Sequence, residues 1–371
     1  MDISVEKDLV PWVKDAGPLL HAIKPDARLV ATGRYYRYLP PGMTAHGRHR
    51  TPISLNGITT VMRALMTWEV IGPVRTERAR RIAPARRGRV GMSRPRPPTH
   101  RRPAAAAGAA AAPTAQEAVR GHVRGSLVHE QIMHMSFLSE EDFRRLHPQG
   151  VHPFVPAILR AYRAHGQYPV RAEFPVAEVA GRMATRLDTL TVRKSGHLTG
   201  VEVKTGFANG AFRAPQYALL DGNARPVPLP LRATTPRFRY RLKWHPALVA
   251  ALRARAPEFG LGRGSVPLVD DADTIGAGEG VCTPANMAMA QASLGQMMAY
   301  RWLGLPTATI DAAVLRVDEA GYEWLPVARN VLALLDAVLY PDAMRASLQI
   351  SDPDAAAAAA ADEEEEDEAS M

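Results

Sequence analysis

Apolar positions recur at two periods along the chain, and each period predicts a different kind of element. After Tyr168-Pro169, an alternating run through Val170, Ala172, Phe174 and Val176 has the period of a half-buried strand. Leu187, Leu190 and Val192, then the turn signal Lys194-Ser195-Gly196, then Leu198, Val201 and Val203 predict two strands joined as a hairpin. Ile310 to Val317 and Glu323 to Val327 predict a second hairpin around Gly321. Helical signals lie between these strands. Thr114-Ala115-Gln116-Glu117 is a capping box that opens a helix through Val119, Val123, Leu127 and Val128 to about Met133. Helical sequence follows at Ser139 to Phe143 and at Ile158 to Tyr162. Thr283 as N-cap, Pro284 at the first helical position and Gly304 past the end bracket another helix, and Val331 to Leu339 predicts an amphipathic closing one.

The remaining segments carry weaker patterns. Residues 1–74 mix apolar clusters with turn residues, and Ile58 to Met66 fits a strand or a short helix. Tyr35 to Tyr38, flanked by Arg34, fits either a core edge or a surface that stacks on single-stranded bases. Residues 75–113 are dense in Arg, Pro and Ala, which predicts a disordered basic linker. Such a linker can bind a nucleic-acid backbone, act as a targeting signal, or serve as a solvated tether. Phe238 to Trp244 alternates basic and aromatic residues, which suits a half-buried strand or the wall of a nucleic-acid channel. Residues 346–371 carry an alanine run and an acidic block, which predicts a disordered tail.

Charge and cysteine usage narrow the function classes. Lys and Arg total 46 against 37 Asp and Glu, for a net charge of +9 despite the acidic tail, so the foldable part suits a polyanionic partner. The single cysteine, Cys282, excludes a disulfide framework, a four-cysteine zinc site and a cysteine-held iron–sulfur cluster within one chain. The acidic start lacks the apolar core of a secretory signal, and no apolar run approaches the roughly 20 residues needed to span a bilayer. A soluble, intracellular protein is expected, with nuclear and cytoplasmic placement both open.

The candidate chemistry lies in the hairpin from Arg186 to Gly206. Side chains alternate across a strand, so Glu202 and Lys204 share one face and Val201 and Val203 the other. Asp188 lies in the partner strand, where its carboxylate can converge on that of Glu202. Two carboxylates in one patch repel, and a divalent cation with oxygen ligands offsets the repulsion. A surface hairpin with solvated alternate residues fits the same string. Upstream, Gly125 and His129 are four apart and share a helical face. His129 and His134 flank Glu130 in a string that approaches the zinc-protease motif, but the histidines are five apart rather than four. At about 100° per residue, they cannot chelate one ion from a regular helix, which rules out a zincin. Gln296 and Tyr300 share a face of the helix that Pro284 opens.

In chain order, Gly125-x-x-x-His129, Asp188, Glu202-x-Lys204 and Gln296-x-x-x-Tyr300 resemble the motifs of the PD-(D/E)XK nuclease superfamily, in its RecB-like exonuclease branch. The resemblance covers residues 114–345, less an insertion at about 207–282. It implies an α/β fold with a restriction-endonuclease-like core, a central mixed β-sheet flanked by helices. It also implies an Mg²⁺ or Mn²⁺ ion held by His129, Asp188, Glu202 and the carbonyl of Val203, with Asp188, Glu202 and Lys204 as the catalytic set. Gly125, Gln296 and Tyr300 would contact nucleic acid, and Glu173 matches the position of an accessory acid. The implied activity is hydrolysis of DNA from its ends, in replication, recombination or repair, with RNA as another possible substrate. An endonuclease or junction resolvase of the same fold, and a non-catalytic nucleic-acid-binding protein, are the alternatives. The chain departs from the pattern at Leu187, where many relatives have proline, at Thr185, where glycine is common, and in the long gap after Gly206.

Overall fold

In a computed structural model, the chain is described at residues 23, 26–32, 35–40, 52–73, 127–132, 134, 140–193, 195–206, 212–213, 217–220, 226–227, 238–269, 280–306 and 310–351. The Arg-rich linker, the acidic block and Gly125 lie outside these residues. The elements begin with β1 (Leu29–Thr32), β2 (Tyr35–Tyr38), β3 (Ile53–Gly57), α1 (Ile58–Ala64) and β4 (Met66–Pro73). Residues 127–132 and 134 are helical. Next come α2 (Glu140–Leu146), α3 (Phe154–Ala164), β5 (Gln167–Glu178), β6 (Met183–Arg193) and β7 (Leu198–Thr205). After β8 (Tyr217–Leu220), β9 (Pro226–Val227), β10 (Phe238–Trp244) and α4 (Pro246–Arg255) come the last described elements, α5 (Pro284–Leu303), β11 (Ile310–Asp318), β12 (Gly321–Val327) and α6 (Arg329–Ser351).

The protein is α/β, with a central mixed sheet flanked by helices. That sheet runs β1-β2-β3-β6-β7-β11-β12, and β5 adds to β6. β6 and β7 are antiparallel, whereas β7 and β11 are parallel. Val201 and Val203 of β7 with Leu315 and Val317 of β11 bury against α3 and the helix at residues 127–132. Ala312 and Val314, on the opposite face, bury against Ala288 and Ala292 of α5. The strand period thus sends alternate residues of β7 and β11 into two helical layers, as the spacing of valines predicts.

Local chemistry sets the ends of α5. Thr283 Oγ1 accepts the Asn286 N–H and Asn286 Oδ1 accepts the Thr283 N–H, a reciprocal cap in which Asn stands where Glu is usual. Gly304 closes the helix at φ 65°, the left-handed conformation that glycine adopts without a Cβ clash.

Three boundaries differ from expectation. β3 pairs in parallel with β6 through Asn56↔Met183 and Gly57↔Ala184, and Ile58, Val61 and Met62 of α1 join the main core. The described residues before 75 therefore join the same sheet and core. α6 continues through Ser351, so the start of the expected tail is helix. The segment after Gly206 does not stand alone: β10 pairs with β4, forming a four-stranded sheet β4-β10-β8-β9 shared with the N-terminal region. Hydrophobic periodicity reports which face of a strand is buried but not which distant strand it meets. Two basic residues of β10, Arg241 and Lys243, turn toward that partner. Glu69 of β4 accepts from Arg241 at 2.6 and 3.0 Å and from Lys243 at 3.2 Å, while Trp244 is fully buried. Arg241, Leu242 and Trp244 are buried, as a half-buried amphipathic strand would place them. Among the described residues, no helix is long and apolar enough to cross a membrane.

Candidate metal centre

The expected hairpin forms around Gly196, which takes φ 79° in the turn between β6 and β7. Its ladder runs from Val192↔Leu198 to Thr189↔Val201 and then stops. One step further, Asp188 and Glu202 fall opposite each other. There Asp188 Oδ2 accepts the Val203 N–H at 2.8 Å, so a side chain takes the place of a strand partner. β5 occupies the other edge of β6, which leaves β3 and β7 on a shared edge. β3 pairs at Met183 and Ala184, and β7 from Thr189 onward. Between these two, that edge has no strand partner among the described residues, and Asp188 lies in the opening.

Across the β5–β6 ladder, Glu173 lies opposite Asp188, between the pairs Ala172↔Thr189 and Phe174↔Leu187. Its φ is 49°, a left-handed conformation inside a strand that costs a non-glycine residue on the order of 1–3 kcal/mol. At this strained position, Glu173 Oε1 lies 2.9 Å from His129 Nδ1 and Oε2 lies 3.4 Å from Arg186 Nε. His129 Nε2 lies 3.7 Å from Asp188 Oδ2. Ligand atoms of His129, Glu173 and Asp188 all lie within 4.8 Å of one another. Burial by itself would lower the His129 pKa, but the carboxylates of Asp188, Glu173 and Glu202 outweigh it and raise the pKa to about 9.

Glu202 and Lys204 leave β7 on the face covered by α5. Lys204 Nζ donates to Glu202 Oε1 at 2.5 Å and to Gln291 Oε1 of α5 at 3.2 Å. Glu202 is 5% exposed. Burial and the nearby Asp188 charge push its carboxyl up to about 7, against the opposing pull of Lys204. Burial works against the Lys204 cation as well, yet Glu202 and Asp188 raise its pKa above the usual lysine value. Lys204 is therefore a cation and a donor rather than a base.

These donors suit a divalent cation. The gap between His129 Nε2 and Asp188 Oδ2 is one that an ion with ligand distances of about 2.0–2.6 Å can bridge. An ionised Glu173 can only accept, which puts a proton on Nδ1 and leaves Nε2 as the ligating nitrogen, the pairing commonly found behind metal-bound histidines. Glu173 thus orients His129 and stands behind the ligand set. Glu202 is not in the close group of ligand atoms that His129, Glu173 and Asp188 form; it bears on His129 through its charge, as Asp188 bears on Glu202, and its Oε1 is held by Lys204.

His129, Asp188, Glu202, Lys204 and Glu173 are thus brought together, and the N–H of Val203 joins them. Gln296 and Tyr300 are not. Gln296 is 2% exposed, and among the described residues neither amide atom has a hydrogen-bond partner; it packs against Gly200, where any Cβ would overlap its Oε1. The Tyr300 hydroxyl donates to Asp336 Oδ2 of α6 at 2.8 Å, and the Arg301 guanidinium lies over the ring. α5 instead brings Gln291 to the site, a residue the sequence reading did not single out. Its signal is spacing: Gln291 lies one turn before Gly295, and Gly295 meets Leu187 so closely that a Cβ there would come within 2.8 Å of Leu187 Cδ2. Leu187, one of the departures from the expected pattern, is therefore the residue on which α5 seats.

Arg186 was also missed. It pairs with Glu173, and the hydroxyl of Tyr36 on β2 lies near enough for Arg186 and Glu173 to influence its ionisation. No protein-family model, no curated protein and no solved structure matches the chain, so the site rests on its own geometry.

Proposed function

We propose that this chain is an Mg²⁺- or Mn²⁺-dependent nuclease that hydrolyses phosphodiester bonds of DNA and acts on DNA ends. The observation that carries the reading is the meeting of Asp188, Glu202, Lys204 and His129 where β6 and β7 part. Asp188, Glu202, His129 and the carbonyl of Val203 would hold the ion. When bound, such an ion supplies an acidified water and offsets the charge that builds on phosphate oxygens.

The chain's own groups supply the rest. Lys204 keeps its proton and presents a cation to a phosphate or a water beside Glu202. Gln291 fixes that ammonium from the helix side. Glu173 fixes the His129 ring, and through Arg186 ties it to β6. The excess of Lys and Arg over Asp and Glu favours a polyanion as substrate.

The test uses purified full-length protein with Mn²⁺ and two substrates, end-labelled linear DNA and closed circular DNA. Degradation of the linear form alone, abolished by Asp188→Asn and lowered by about 10²–10³ by Lys204→Ala, is the expected result. Cutting of the circle would turn the reading to an endonuclease. Degradation unchanged in both variants would remove the catalytic assignment, and salt-sensitive binding without cleavage would indicate a binding module.

A further inference from the structure

His129 and His134 are five residues apart on one helix, so their side chains diverge by about 140°. They reach two different clusters. His134 Nδ1 lies 2.8 Å from His147 Nε2, and ligand atoms of Glu130, His134 and His147 all lie within 4.8 Å of one another. We propose that Glu130, His134 and His147 form a second metal site, one that takes zinc and clamps the helix carrying His129 to the segment after α2.

Three observations carry this. Glu130 and His134 are one turn apart and so share a helical face, the spacing from which a helix offers two ligands to one ion. His147 is 9% exposed, and its ring is held by Phe143, with ring centres 4.6 Å apart. The helix and the His147 segment are also fixed together by Gln131, the neighbour of Glu130. Its Nε2 donates to the Gly150 carbonyl at 3.0 Å and its Oε1 accepts the His152 N–H at 2.7 Å. Gln131 is 2% exposed, so both bonds are made out of water, where they define the position strongly. The third ligand is therefore placed by the scaffold before any ion arrives, which lowers the ordering cost of binding.

The donor set selects the ion. Two imidazoles and one carboxylate suit zinc or a similar transition ion, with a fourth position for water. The cluster at Asp188 is richer in oxygen donors and suits magnesium or manganese. Two imidazole nitrogens at 2.8 Å share one proton in the absence of an ion, and zinc would replace it by moving the rings slightly apart.

The experiment measures zinc by mass spectrometry in full-length protein after dialysis against excess Mg²⁺. About one zinc per chain is expected, with a Tm that falls when a chelator is added. His134→Gln with His147→Gln should remove the zinc, and Asp188→Asn should leave it. Co²⁺ titration of the unaltered protein gives a second readout, since ligand-field bands in the visible range should appear and be displaced by zinc. Wild-type protein that retains no zinc and shows no such bands would overturn the proposal without recourse to a variant. Zinc that survives the double His substitution, or that is lost with Asp188→Asn, would overturn it too.

Discussion

Lys204 Nζ stands 2.5 Å from Glu202 Oε1, and the two side chains leave one strand from the same face. Glu202 is buried and Lys204 half-buried, and the lysine offsets the cost of burying the carboxylate. Lys204→Ala should therefore have two effects. Cleavage of linear DNA should fall by about 10²–10³, the usual loss for one donor that stabilises developing charge. Glu202, left without its cation, should titrate still higher, which pH–rate profiles of the variant would register.

The ionisation of His129 and Glu202 fixes the pH behaviour. Both are raised, to about 9 and about 7, so the folded metal-free chain binds more protons than the unfolded one. The His129 contribution to stability is complete below about 6.5 and is lost as pH rises through about 9. Glu202 opposes folding increasingly as pH rises from about 4.5 through about 7. Chemical denaturation of metal-free protein should show stability declining across that whole span, with His129→Ala removing the upper part. Because a bound ion must displace these protons, Mn²⁺ affinity measured by calorimetry should increase from pH 6 to pH 9, with proton release.

Glu173 tests strain and function apart. A glycine there relieves the positive φ, so Glu173→Gly should be more stable than Glu173→Ala by about 1 kcal/mol in urea denaturation. Both variants lose the group that orients His129, and both should weaken Mn²⁺ binding by about 10–100-fold. Equal stability of the two would show that the backbone at this position is unstrained.

Gln296 offers the opposite contrast. Its buried amide has no partner among the described residues, so Gln296→Met should leave Tm unchanged or raise it, and DNA affinity should not move. Gly200→Ala, which drives a methyl into that amide, should cost about 1–3 kcal/mol. A large loss of DNA binding in Gln296→Met would restore the contact role that its spacing from Tyr300 suggests.

Where the sequence was legible, short-range rules held. The hairpin around Gly196, the faces of Val201 and Glu202, and the caps of α5 follow from alternation and from the residue types at Thr283, Pro284 and Gly304. What escaped is long-range. Nothing in Ile53 to Gly57 says that it will lie beside Met183, and nothing in Glu69 says that it will hold Arg241. The same holds within the site. Gln291 and Gln296 look alike as letters, and only the seating of Gly295 on Leu187 decides which one meets Lys204.

The shared edge of β6 bears on how the protein can be cut. A fragment starting at residue 114 would retain each acid and the lysine, yet it would bare the backbone of Met183 and Ala184 and leave β10 without β4. Such an edge invites pairing between copies. The smallest piece able to present Asp188 faithfully has to begin ahead of Ile53, and expression trials that trim to the motifs alone should yield aggregates.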